Sequence, residues 1–524
     1  MRKLLIMLFG MAVLILSSCG RASQEPYAED EITHTYPILE METTPASEQI
    51  EASQTPAYVP QPIFTVAHFI EDIDYMLYVL ENNFALFDVA YWARGVDIHA
   101  IVENVRTAIL ANPNMDVDIF YTTLVEYFGD LLAIGHFAFI SPSYHYYIYS
   151  SHTWHSGFFS WSAMARLYQP HVLAFYKPRH PNAFEANSEQ DRIEDLQNFL
   201  VNLSEEEIHT QYARRLSRLR LHDRCDIADE LLRALLEKNA SEALLLLDYS
   251  ADFLANAPNV TTRVLEEGRV AYIAVDSFMG SSRPSPDEQR QINDFYEEIR
   301  YYDHLVIDLR HNGGGSSLWF YVALLGPHLD RPFTIDGFVF LAYGEYAANY
   351  ANIRYGSSTH PVSQMISADA HRRPIAEILE NYDLTELILA DMERMDYGFR
   401  IQTTVEPIPH SPRFCTQPTF PGKIWFLTGS HMGSAVQISA WLAKETGFAT
   451  LVGDITGGVY GGTRTYVALP NSGIVFQMDL FYVTDSRGRP LEAGTIPHIF
   501  NREGMDALET VLALIEEGDL NAVY

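Results

Sequence analysis

From residue 265 onward one pattern recurs: a short apolar run, a loop, then a helical stretch. Arg269–Phe278 (RVAYIAVDSF) and His304–Leu309 (HLVIDL) read as strands, with a helix predicted over 286–300 between them. A glycine loop, a helix over 317–326 and a strand over 333–341 follow. An irregular insert, 343–418, comes next, then a strand over 423–427, a helix over 434–445 and a strand over 449–453. Short apolar strands alternating with helices build a mainly parallel sheet with helices packed on it. Runs at 464–469 and 474–482 suggest an antiparallel addition. The fold class expected is α/β, and this half should carry the chemistry.

What precedes this half is organised differently. Arg2 and Lys3 lead into the apolar run Leu4–Leu16 and then Ser17-Ser18-Cys19-Gly20. That run is shorter than the ~20 residues of a membrane span, and the small residues after it suit a cleaved leader. Leu16-Ser17-Ser18-Cys19 resembles the bacterial lipobox, which implies a signal peptide over 1–18 and lipidation of Cys19. The lipid would anchor the chain to the membrane on the outer side of a bacterial cell envelope. Residues 19–60, rich in Ser, Thr, Pro and Glu, read as a solvated tether. Within 61–141, Phe69, Ile70, Ile73, Met76, Leu77, Val79 and Leu80 recur at helical spacing. Further helices are expected near 97–111 and 116–133 and a short strand near 137–141. The middle region 142–264 is aromatic-rich at first and helical from about 189, with Ser204–Glu207 as a capping box.

The charge balance narrows the partners. Against 68 Asp and Glu stand 35 Lys and Arg, a formal net charge of −33, so a phosphate polymer would be repelled over most of the surface. Nucleic-acid binding is excluded as a function class. Besides Cys19, Cys225 and Cys415 carry no disulfide framework and read as free, buried thiols.

Open α/β sheets place their sites in the loops after the strand C-termini. Two loops qualify: Asp308-Leu309-Arg310-His311-Asn312-Gly313-Gly314-Gly315 and Gly429-Ser430-His431-Met432-Gly433-Ser434-Ala435. Consecutive glycines allow close backbone approach to a ligand, and their N–H groups can face an anion; the bland alternative is a tight turn. Neither Gly-Lys-Ser/Thr nor G-x-G-x-x-G is present, so no nucleotide site is indicated. Ser434 opens a helix, where unsatisfied N–H groups favour a negative oxygen; as a residue type it is equally an ordinary N-cap.

Taken together, HLVIDLRHNGGG, FLTGSHMGSAVQISAWLAKETGFATLVGDITGG and LPNSGIVFQMDLFYVTDSRGRPLEAGTIPH resemble the tail-specific (C-terminal processing) and tricorn-core serine peptidase family in order and spacing. The resemblance spans about 265–515, and 64–141 is similar to the helical unit of the tricorn-like branch. No peptide-tethering module is recognisable. The resemblance implies a crotonase-like core in 265–524, an N-terminal helical domain, and peptide-bond hydrolysis through an acyl-enzyme with no metal or cofactor. It implies Ser434 as nucleophile, with Ala435 and the Gly313-Gly314 loop supplying oxyanion donors. One branch of the family takes its base from a Lys about 25 residues after the Ser, but position 459 is Val and 445–524 lack Lys. The other branch uses a His from the helical unit, matched by His136, and an acidic residue, matched by Glu492. The chain departs from the family pattern at Ile134, Phe137, Gln437 and His498, where acids, a Thr or a Pro-Asp are usual.

Three functions compete on these grounds: a lipid-anchored serine peptidase acting on peptides or unfolded proteins, an inactive relative binding a peptide or envelope partner in the same cleft, and a hydrolase of another acyl bond. Reactivity of Ser434 separates the first two. A metalloenzyme is disfavoured, since His145, His152, His155 and His360 lack ligand spacing. Tyr144–Tyr149 is expected to be a core or cleft wall.

Overall fold

The computed structural model describes residues 64–518, except 132–133, 152–164, 181–192, 194–195, 198–199, 202, 280–282, 349–372, 409–419 and 460–463. The leader, Cys19, the acidic tether, His152, His155, His360 and Cys415 lie outside the described residues.

The helical periodicity of the N-terminal region is realised in α1 (Val66–Asn83), α2 (Phe87–Arg94), α3 (Ile98–Ala111) and α4 (Val117–Tyr127). Asp97 and Asp116 cap α3 and α4 by accepting backbone N–H groups that a helix start leaves unpaired. The last helix stops at Tyr127, short of the expected 133, and the chain turns through Gly129–Leu131 and Ile134–His136 into β1 (Ala138–Phe139). Phe69, Ile73, Met76 and Leu80 of α1 are fully buried, as their spacing requires. Two helices, α5 (Pro142–Ser151) and α6 (Pro170–Tyr176), lie in the aromatic stretch. Then α7 (Glu205–Leu221), α8 (Cys225–Leu236) and α9 (Ala240–Ala255) share an apolar core of their own, built around Leu219, Leu231, Leu235 and Ala243. Cys225 is free but exposed, because it opens α8 on the solvent side instead of joining that core.

The remaining chain runs β2 (Val260–Glu266), β3 (Val270–Val275), α10 (Pro286–Glu298), β4 (His304–Asp308), β5 (Phe333–Ala342), β6 (Arg373–Pro374), β7 (Met395–Val405), β8 (Lys423–Thr428) and α11 (Ala435–Glu445). It ends with β9 (Thr450–Gly453), β10 (Arg464–Ala468), β11 (Val475–Asp479), β12 (Phe481–Asp485), β13 (Ile499–Phe500) and α12 (Ala507–Glu516). A six-stranded sheet has the order β13-β9-β8-β4-β3-β2, parallel throughout except for the antiparallel edge strand β2. The expected mainly parallel α/β sheet is therefore present. Successive side chains point to opposite faces: Leu305 and Ile307 join the core with Ile292 and Ile438, while Val306 meets Trp425, Val511 and Leu514 under α12.

Three expectations for this half are corrected. The strand over 333–341 does not join the parallel sheet; β5 pairs antiparallel with β12 and β7 in a separate sheet ordered β12-β5-β7-β6. The insert 343–418 is not wholly irregular, since it contains β7 and two short helices. Its signal is the alternation of buried Phe399, Ile401 and Val405 with Arg400, Gln402 and Thr404, whose polar members dilute mean hydropathy. The run 474–482 splits at Leu480, so β11 pairs with β10 and β1 while β12 turns into the other sheet. The pairing of β1 with β11 (Ala138↔Gln477, Phe139↔Phe476) and an apolar core in which Phe69, Ile73 and Leu80 join Phe476 and Leu480 tie the N-terminal unit to the rest of the fold. Among the described residues no helix is long and apolar enough to cross a membrane.

Candidate active site

Ser434 sits between β8 and α11 with φ 58° and ψ −129°, a backbone region costly for a residue with a Cβ. Its N–H is shared by the carbonyls of Gly458 and Val459, both at 3.1 Å, which fixes this sharp elbow. The 457–459 loop is held in turn by Arg94 of α2, whose Nη2 donates to the Gly457 carbonyl (2.7 Å). Val459, where one branch of the resembling family carries its lysine, itself has φ 56°. The geometry places Ser434 at the first turn of α11 without a side-chain capping bond, so the hydroxyl is turned toward other partners.

One of these is His136, whose Nε2 lies 3.3 Å from Ser434 Oγ. On the far side of the ring, Nδ1 is 2.7 Å from Asp479 Oδ2. With Nδ1–H donating to the carboxylate, Nε2 keeps its lone pair and faces the serine hydroxyl as an acceptor. Asp479 is fully buried, and among the described residues its Oδ1 has no hydrogen-bond partner. Burial pushes its carboxyl up, opposed by the His136 charge and hydrogen bond and by the Arg464 charge. Arg464 stands directly across the β10–β11 ladder from Asp479.

Glu492, the acidic residue that the motif resemblance implies, meets the backbone beside the imidazole and not the ring itself. Its Oε1 accepts the Gly135 N–H (2.8 Å), one residue before His136. Gly135 (φ 53°) and His136 (φ 51°) are both left-handed, and a Cβ on Gly135 would stand 2.6 Å from Leu86 Cδ1, so glycine is required there. Gln477 Nε2 also donates to the His136 carbonyl (2.9 Å). Glu492 and Gln477 thus grip the backbone on either side of the ring, and Asp479 grips the ring.

The glycine loop after β4 faces the serine. A Cβ on Gly314 (φ 93°) would lie 3.2 Å from Ser434 Cβ and 3.5 Å from the Ala435 nitrogen. Of the donors expected for an oxyanion, the Gly314 N–H is already given to Asn312 Oδ1 (2.8 Å), which corrects its assignment; Asn312 Nδ2 reaches across to the Val275 carbonyl (3.1 Å). Ala435 opens α11, and Gly313 belongs to the same loop as Gly314. At the loop's root, Asp308 accepts from Arg310 Nη2 (2.7 Å) and Tyr272 Oη (2.9 Å). Burial would push the Asp308 carboxyl up, but the charges of Arg310 and His311 and the Arg310 hydrogen bonds outweigh it and hold it well below the usual range.

The residues that depart from the family pattern have packing roles. Phe137 is buried among Phe84, Phe128, Phe139 and Phe476, with ring centroids 5.6–6.4 Å away, and Ile134 is buried beside His136. Gln437 donates to the Thr495 hydroxyl (3.0 Å) and the Leu491 carbonyl (3.3 Å) and accepts from the Thr456 hydroxyl, tying α11 to the segment that presents Glu492. His498 Nδ1 accepts the Leu451 N–H (2.9 Å) beside β9. His145 packs on Tyr176 and meets His180 (2.9 Å) and the Leu167 carbonyl (3.0 Å) in a buried cluster. Among the described residues no group of three or more His, Cys, Asp or Glu is arranged to hold a metal ion.

Residues 269–500 match the family model Peptidase family S41. The likeness to S41 peptidases is confined to this stretch. The matched stretch supplies Ser434, Asp479, Glu492 and both glycine-bearing loops; His136 comes from outside it. No curated protein matches the chain. Among solved structures, a candidate peptidase from Parabacteroides merdae is 14% identical over 87% of this chain and 97% of its own (TM-score 0.43). Mature CPAF is 12% identical over 88% and 99% (TM-score 0.44). The tricorn protease is 16% identical over 53% and 20% (TM-score 0.22). Likenesses this distant carry no argument about function.

Asp479 was missed by the sequence reading. Its signal is a single carboxylate inside an otherwise buried strand, VFQMD, where an unpaired charge is not tolerated and a partner must exist.

Proposed function

We propose that the chain is a serine endopeptidase in which Ser434 is the nucleophile, His136 the general base and Asp479 the carboxylate that orients and charges the imidazole. The observation that carries this reading is one imidazole bridging Asp479 at 2.7 Å and Ser434 at 3.3 Å. Ser434 Oγ attacks the scissile carbonyl carbon as its proton passes to His136 Nε2. The negative oxygen of the tetrahedral intermediate is met by the Ala435 N–H at the positive end of α11 and by the Gly313 N–H. Collapse breaks the C–N bond, His136 returns the proton to the leaving amine, and an ester on Ser434 remains. Water then attacks that ester, His136 again taking the proton, and releases the new carboxylate terminus. The buried Asp479, poorly solvated and without other hydrogen bonds among the described residues, gains most when the ring is protonated, which favours the transition state over the ground state. Glu492 acts as a positioning residue through Gly135.

The substrate is a peptide or unfolded protein, and the core is crotonase-like, as the motif resemblance implies. The leader and Leu16-Ser17-Ser18-Cys19 support an outer-face location in a bacterial envelope, with diacylated Cys19 as the anchor.

The test is the form beginning after Cys19, incubated with a diverse peptide mixture and read by mass spectrometry beside Ser434→Ala and His136→Ala. Cleavage lost in both variants is the expected result. Equal, negligible cleavage in all three would favour a peptide-binding relative that has lost catalysis.

A further inference from the structure

A cavity of about 500 Å³ opens at the C-terminal ends of the parallel strands, on the face covered by α12, and none of Ser434, His136 or Asp479 lines it. Its walls run across the sheet from Arg263 and Leu265 of β2, through Tyr272, Arg310 and Gly429, to Asp454 after β9. Three guanidiniums converge there from separate elements: Arg220 at the end of α7, Arg263 of β2 and Arg310 after β4. Each has an acidic partner, Asp229 for Arg220, Asp223 for Arg263, and Asp308 and Asp506 for Arg310, so what the wall offers an anion is guanidinium N–H donors and not a surplus of charge. Salt screens distant charges within about 10 Å at 0.1 M, so the local set decides what can bind.

Arg310 is fully employed, its Nε and Nη2 on Asp308 and its Nη1 on Asp506. The other two are not saturated. The bonds described for Arg220 are made by Nη2, to Asp229; those for Arg263 also use Nη2, to the Leu221 carbonyl and Asp223. Each guanidinium carries five N–H donors in a fixed fork, so Nε and Nη1 of both remain to be offered. The carboxylates in the wall are already engaged: Asp506 Oδ1 caps Glu509 of α12, and Asp454 Oδ1 accepts from Asn501. Leu221, Leu265, Leu508 and the Tyr272 ring give the cavity apolar sides.

We propose that this cavity is a second ligand site, for a small organic anion: a phosphate or carboxylate head group forked by Arg220 and Arg263, with an apolar body against the leucines and Tyr272. Its volume suits a small molecule and not a folded partner. The site is independent of peptide hydrolysis, although Arg310-His311 and Gly429-Ser430-His431 in its wall lead directly into the loops that carry Gly313 and Ser434.

Isothermal titration with phenyl phosphate, benzoate and inorganic phosphate tests this. Phenyl phosphate or benzoate should bind saturably at one site per chain, and which of them binds more tightly assigns the head group. Inorganic phosphate, lacking the body, should bind more weakly than phenyl phosphate. Arg220→Gln, whose ion pair is exposed and contributes little to the fold, should weaken binding about tenfold, and Arg263→Gln at least as much. Leu265→Glu leaves both arginines in place and should abolish binding by placing a like charge in the wall. Ser434→Ala should bind as the unaltered chain does. No saturable binding of either organic probe, binding indifferent to both arginine substitutions, or binding lost in Ser434→Ala would each overturn the proposal.

Discussion

Ser434 and His136 stand 3.3 Å apart, yet the chain delivers them by opposite routes. Ser434 lies where an interior parallel strand passes into a helix, and its elbow is held by backbone bonds to the 457–459 loop. His136 comes from a separate helical region and is held by contacts across more than three hundred residues, to Asp479, Glu492 and Gln477. The strand that docks it, β1, has two residues. The serine side is thus part of the sheet's own framework, while the histidine side belongs to a helical unit joined to that framework through a shared apolar core and through polar bonds such as Arg94 to Gly457 and Asp72 to Ser472. Such long-range contacts carry the larger loop-closure cost and are the more easily disturbed.

Four substitutions or conditions bear on that asymmetry. Asp479→Asn keeps the shape of the histidine side but removes its charge and favours the wrong tautomer; kcat/KM for peptide cleavage should fall about 10⁴-fold with the fold retained. Retention of activity would show that the histidine side works without its buried carboxylate. Phe137→Ala empties the centre of the aromatic cluster and should cost about 3–5 kcal/mol in urea unfolding. If the asymmetry holds, hydrogen exchange in this variant rises in β1 before it rises in β8. Glu492→Gln still accepts from Gly135 but without a charge, and should lower kcat about tenfold to a hundredfold through displacement of the ring, with KM little changed. A change in KM alone would move Glu492 from positioning to substrate binding.

The smallest effect expected is one of pH. Burial pushes the His145 imidazole down to about 4, the Leu167 carbonyl opposing this and the His180 charge adding to it. The unfolded chain therefore takes up this proton first, near pH 6.5. The contribution to stability is complete above that value and is lost as pH falls toward 4. His145 stacks on Tyr176, whose hydroxyl donates to the Ile140 carbonyl and accepts the Val475 N–H, so the loss should appear on the histidine side. Denaturant midpoints at pH 7 and pH 5 should differ less in His145→Phe than in the unaltered chain.

The same asymmetry explains what the sequence disclosed. The strands at 270–275, 304–308 and 423–428 and the loops after them have local signatures, apolar runs closed by glycine and serine, and were legible residue by residue. His136 and Glu492 were reached through motif resemblance, because nothing within ten residues of either marks its partner. Asp479 was passed over for the same reason: its meaning lies in a neighbour 343 positions away. β7 escaped because its polar alternate residues look like loop, although their period of two is that of a half-buried strand. The engagement of the Gly314 N–H by Asn312 is a matter of hydrogen-bond direction, which spacing does not encode.

Five residues other than glycine have positive φ in the described chain, and three of them, His136, Ser434 and Val459, meet at this one place. Each such conformation costs about 1–3 kcal/mol, and valine, branched at Cβ, suits it least. A chain released from chemical duty could recover part of that cost at any of the three by a single change to glycine. Drift after a loss of function would run downhill in that direction, and so would any effort to make the protein more heat-resistant by relieving its strained positions. At Ser434 and His136 the proposed chemistry needs the side chain that the backbone conformation penalises, so stability and that chemistry compete at these two peptide units.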